Sequence, residues 1–142
     1  MVQAARSGKQ NIAEGSLASG TSKEFEIKLT NVARANFEEL LIDFQDFLRT
    51  RGHKQWSRDH SCAQRLRQLN RQQGASYAIF RKVIEHADAA ICENVIFGLF
   101  KVTNFLLERQ IQRLEEDFLK EGGLREWMTQ ARLKARAEQR RR

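Results

Sequence analysis

The 142-residue chain contains no proline. Proline removes a backbone donor and clashes with the preceding helical turn, so its absence suits long continuous helices. Cysteine is scarce too. Cys62 and Cys92 are too few for a disulfide framework, and reduced thiols in a cytoplasmic setting are the expectation. No contiguous run reaches the 18 or so apolar residues of a bilayer span. No N-terminal segment has the charged, apolar, small-residue order of a signal peptide. The chain is therefore expected to have no membrane partner.

Histidine is limited to His53, His60 and His86. No carboxylate stands three residues from any of them, which excludes the Glu-x-x-His ligand pattern of di-iron bundles. His60 and Cys62 are close in sequence, but no second Cys or His pair completes a zinc site. A phosphate-cradling glycine loop, a C-x-x-C pair and a recognisable nucleophile motif are all missing. The expectation is a protein without enzymatic activity, cofactor or metal.

What the sequence does hold is helical periodicity. From Thr21 to Leu48, apolar residues recur at Phe25, Leu29, Val32, Leu40, Phe44 and Phe47, in steps that fit a helix. Thr21 and Glu24 read as a T-x-x-E capping box, and Gly52 as the stop. About thirty residues of helix would be roughly 45 Å long. Ahead of it lies a shorter helix with Val2, Ala5, Gly8, Lys9 and Ile12 on its inner line and Gly15 as its expected stop. The short linker 16–20 predicts that the two are antiparallel neighbours.

After the long helix, Ser57 or Asp59 is expected to cap a modest helix to Arg71. Its apolar line is narrow (Cys62, Leu66, Leu69), with arginines on most other sides. Trp56 reads as the anchor of this arm, with exposed stacking on a base as the alternative. Ser76 should cap a short helix with Tyr77, Phe80, Val83 and Ile84, and Asp88 a long one ending at Gly122-Gly123. Nine of the thirteen residues from Val95 to Leu107 are apolar. That exceeds one stripe, so the segment should be buried on two sides. Val95, Phe97, Leu99, Val102, Phe105 and Leu106 are the candidate subunit interface. The nine Phe are expected in the core. Beyond Gly123 a last helix has a short apolar edge, and Arg136 to Arg142 should fray.

The fold class is therefore all-α: an up-and-down helical bundle over residues 1–123, with an extra short helical arm, and a basic C-terminal helix and tail over 124–142. Arg6, Asn11, Glu14, Arg34 and Glu38 are candidates for an interhelical polar network that sets register.

The stretch RSGKQNIAEGS, followed by SKEFEIKLTNVARANFEELL, resembles the four-helix-bundle family of rRNA intervening-sequence proteins. The similarity is greatest to the four helix bundle suffix proteins and more distant to the accessory protein of diversity-generating retroelements. Asn11 to Gly15 is the most specific motif, supported by Ala33 to Glu39 and by GGLREWMTQAR. The resemblance covers most of the chain. It implies up-and-down helices, a homo-oligomer that is commonly a pentamer, and no enzymatic activity. The family places a long apolar helix ahead of this motif. Met1 stands only a few residues before it, so that helix is expected to be missing and the chain to be a fragment or the product of a late start.

The net charge of +7 is unevenly spread: residues 49–71 carry +6 and 124–142 carry +5, against −4 elsewhere. Such asymmetry points to a polyanionic partner. The candidate nucleic-acid contacts are Arg58, Arg65, Arg67 and Arg71 in the arm, and Arg136, Arg140, Arg141 and Arg142 in the tail. RNA, DNA or a nucleic-acid enzyme such as a reverse transcriptase would be the partner. A purely structural oligomeric subunit is the alternative.

Overall fold

A computed structural model describes residues 1–74 and 76–140. Arg141 and Arg142 lie outside the described residues. Six helices occur among them: α1 (Val2–Ala18), α2 (Lys23–Thr50), α3 (Ser61–Asn70), α4 (Tyr77–Ile84), α5 (Ala89–Glu121) and α6 (Leu124–Gln139). The protein is all-α, with no strand among the described residues.

Several helix boundaries differ from the sequence reading. The α2 cap is Ser22, whose Oγ accepts the Phe25 N–H at 3.2 Å, while the Thr21 hydroxyl donates back to the Ala18 carbonyl. Gly15 does not stop α1, which continues to Ala18. His60 caps α3, taking the Cys62 N–H on Nδ1 in place of Ser57 or Asp59. Ser76 stands at the start of α4 but makes no side-chain cap bond. The tail is helical as far as Gln139. Three expected ends hold. Gly52 adopts φ 70°, with its N–H on Arg49 and the His53 N–H on Leu48, the paired bonds of a Schellman stop. Asp88 caps α5 through the Ala90 N–H, and Gly122 at φ 73° ends it.

The chain forms two compact units. The first comprises Met1 together with Phe37–Asn104. Its core is Leu66, Phe80 and Val95, with Trp56, Leu69, Ile79, Val83, Ile84, Ile91 and Leu99 packed against them. Leu40 and Leu48 are fully buried, and Phe44 meets the Phe100 ring edge-on at 5.5 Å. Helices α3 and α5 approach closely at Gly98, where a Cβ would stand 2.5 Å from Leu66 Cδ2.

The second unit comprises Val2–Asn36 and Phe105–Arg142. Ala33, Leu107 and Ile111 are its buried apolar residues. Gly8 and Gly15, seven residues apart on one face of α1, are buried. A Cβ on Gly15 would touch Leu29 Cβ at 3.4 Å. The rest of the expected α1 line is poorly covered, since Val2 and Lys9 are exposed. Thr30 and Glu26 are buried on α2, whereas Phe25 and Val32 face outward. Burial raises the Glu26 carboxyl above its ordinary pKa, partly offset by the Lys23 charge.

Within Ala89–Gln139 an 18-residue window of mean hydropathy 1.4 is long and apolar enough, by length and composition, for a membrane span, with 28% of that window buried in the chain. Polar residues interrupt the apolar ones, so the window is not a contiguous apolar run.

Candidate functional site

The arm leaving α2 is fixed by two polar residues at the start of α5. Glu93 and Asn94 interrupt the apolar sequence ICENVIFGLF, and both are buried. A buried carboxylate needs partners. Glu93 Oε2 accepts from His53 Nδ1 at 2.5 Å, and Oε1 accepts from Arg51 Nη1 at 3.3 Å. Asn94 Oδ1 accepts the Trp56 N–H at 2.8 Å, and its Nδ2 donates to the Lys54 and Ala90 carbonyls. Residues 51–56 are thus held to α5 by side chains as well as by packing. Trp56 lies against the core and stacks on the His60 ring at 4.9 Å. The expected anchoring role of Trp56 is what its contacts show.

A groove of about 440 Å³ opens beside this clasp, lined by Gln45, Asp46, Leu48, Arg49, His53 and Gln55. Asp46 pairs with Arg49 at 3.1 Å. None of these residues was marked as functional by the sequence reading. The signal that could have found the clasp is Glu93-Asn94 inside an apolar helix.

The arginines of the arm are exposed except Arg67, which is half-buried and donates from Nη2 to the Arg58 carbonyl at 2.6 Å. Arg67 therefore braces the turn before α3. Arg65 and Arg67, two residues apart, stand about 200° apart around the helix, on opposite flanks of buried Leu66. Arg58, Arg65 and Arg71 are free to meet solvent, but the arm does not gather them with Arg67 on one face. Cys62, expected inward, is exposed.

On α6, every residue from Arg125 to Arg140 is exposed, including Arg136 and Arg140. Among the expected interface residues, Val95 and Phe97 are core residues of the first unit. Leu99 and Val102 are half-buried, and Phe105 and Leu106 are more than half exposed. The segment is thus not buried on two sides within the chain. Of the nine Phe, Phe80 and Phe97 are buried, while Phe25 and Phe105 are exposed.

The five residues expected to form a polar network are not buried. Arg6, Glu14 and Glu38 are exposed, and Asn11 and Arg34 half-buried. Glu14 accepts from Gln10, four residues earlier, and Glu38 from Asn104 Nδ2 at 2.8 Å. Among the described residues the buried polar ones are Glu26, Thr30, Glu93 and Asn94 instead. Among the described residues no three His, Cys, Asp or Glu side chains gather to hold a metal.

Comparison with known proteins finds no matching family model, curated protein or solved structure.

Proposed function

We propose that this is a non-enzymatic helical-bundle accessory or scaffold protein that contacts nucleic acid through its basic segments. The observation that carries the reading is α6. Arg125, Arg132, Arg136 and Arg140 fall within an arc of about 80° at 100° per residue, and all four are exposed. A cationic row on a solvated helix is an electrostatic footprint for phosphates. Contacts of that kind position a nucleic acid without reading its sequence. The arm contributes Arg58, Arg65 and Arg71 as secondary contacts, with Arg67 held back by its bond to the Arg58 carbonyl. The resemblance to the rRNA intervening-sequence bundle family supports a nucleic-acid setting, including a nucleic-acid enzyme as partner. Direct binding of RNA and DNA to the full chain at low salt, compared with an Arg132→Glu/Arg136→Glu variant, tests this. Weaker binding in the variant is the expected result.

Assembly of several copies is part of the same proposal, and it has its own support. The second unit exposes Phe105 at 56%, Leu106 at 58%, Leu119 at 83% and Trp127 at 64%. That many large apolar side chains in water mark an interaction surface. If nucleic acid does not bind, a purely structural oligomeric subunit is the reading that these residues favour.

A further inference from the structure

We propose that the groove beside His53 is a binding site for one nucleotide, either a free mononucleotide or the terminal unit of a strand. Its volume, about 440 Å³, lies in the roughly 300–1,000 Å³ range of small-molecule sites. Its lining is polar and rich in donors: the Arg49 guanidinium, the Gln45 and Gln55 amides and the His53 ring. The one lining carboxylate, Asp46, is already paired with Arg49. The pairing offsets the carboxylate charge and leaves the guanidinium with donors to spare for a phosphate.

The glutamine amides, beside the imidazole, favour a nucleotide over a bare anion. Glu93 Oε2 engages Nδ1, so Nε2 is the ring nitrogen left for a ligand, without a hydrogen-bond partner among the described residues. Each glutamine amide offers an acceptor beside its donors. Acceptors contribute nothing to a phosphate, but they match the amino and hydroxyl groups of a base and a ribose. The surrounding chain from Arg49 to Arg58 carries four cations and no carboxylate, a field that draws a phosphate-bearing ligand.

The site is also preformed. The Schellman stop at Gly52 and the Asn94 bonds to Lys54 and Trp56 hold the backbone that carries His53 and Gln55. Less ordering is then required on binding. The residues are distinct from the α6 row, so either site can fail without the other.

The test is a nuclear magnetic resonance titration of the ¹⁵N-labelled full chain with adenosine monophosphate, a short 5′-phosphorylated single strand, and inorganic phosphate. Saturable shifts of the His53 ring nitrogens and the Gln45 and Gln55 side-chain amides are expected with the first two. Arg49→Gln should weaken binding about tenfold, the worth of one charge-assisted contact. Arg132→Glu/Arg136→Glu should leave adenosine monophosphate binding unchanged. Tighter binding of the strand at these signals in the Arg132→Glu/Arg136→Glu variant, which lacks the α6 contribution, assigns the site to strand ends, and equal binding to free nucleotides. The proposal is overturned if neither nucleotide ligand shifts these signals at millimolar concentration. Equal shifts with inorganic phosphate, or an Arg49→Gln variant that binds normally, also overturn it.

Discussion

Glu93 and His53 are forty residues apart in sequence and 2.5 Å apart in the structure, carboxylate Oε2 to imidazole Nδ1. Their bond ties the connection after α2 to the first turns of α5. The Glu93 side chain is only 8% exposed, and Arg51 is its other partner. Arg51 is half exposed, so water screens that pair and the His53 bond carries more of the compensation for burying the carboxylate.

Glu93→Ala should therefore cost about 2 kcal/mol of stability, because it leaves a small cavity and an unpaired imidazole. His53→Ala should cost at least as much, since the carboxylate would stay buried beside a screened cation. Chemical denaturation gives the magnitude. Hydrogen exchange should show faster exchange at the amides of His53 and Trp56 in both variants. Equal stability to wild type would mean that the clasp is incidental.

Glu26 predicts an opposite effect. Burial raises its pKa, so the folded state holds this proton more tightly than the unfolded chain does. Stability from this group is present below the raised pKa and falls as pH rises through the window from the ordinary carboxylate value up to it. Glu26→Gln should thus raise Tm at neutral pH, and the gain should shrink as pH falls through that window and be gone below about 4.5, the ordinary value. Thermal melts at several pH values check both the sign and the window.

Two glycines separate close packing from simple helix propensity. At Gly98 a new Cβ would press on buried Leu66, and overpacking of this kind costs about 1–3 kcal/mol. The gain of about 1 kcal/mol from helix propensity only partly offsets it, so Gly98→Ala should be destabilising. At Gly15 the new Cβ meets Leu29 at 3.4 Å, a near-normal contact. Gly15→Ala should be neutral or stabilising by about 0.5 kcal/mol, read from the same denaturation curves.

These residues also show what the sequence could reveal. The all-α class was legible because apolar steps of three and four, the glycine stops at Gly52 and Gly122, and the absence of proline agree with one another. Helix starts were read less well. Ser22 and His60 cap where Thr21 and Ser57 or Asp59 were expected, because a cap depends on which side chain reaches the free N–H group. The α2 stripe misled at Phe25 and Val32, since periodicity shows that a helix has an apolar face and not that this chain covers it. Glu93–His53 was hidden for another reason. Side-chain bonds distant in sequence have no local signature, and only the isolated polar pair in an apolar helix hinted at it.

Phe105 and Leu106 carry the assembly prediction. Light scattering on the purified chain should give more than one copy per particle. Phe105→Glu/Leu106→Glu should shift it to monomer while the helical circular dichroism is retained, because both side chains are already exposed. A wild-type monomer at micromolar concentration contradicts the assembly reading.

The most direct test of the central claim is the salt dependence of nucleic-acid binding. Affinity of the full chain for RNA and DNA is measured from low to physiological salt, for wild type and for Arg132→Glu/Arg136→Glu. Each phosphate neutralised contributes about −0.7 to −0.9 to the slope of log affinity against log salt. The account predicts binding with little sequence preference, a steep fall with salt, and a slope in the variant that is shallower by about 1.5–2. Absence of binding at low salt, or an identical slope in the variant, would contradict it.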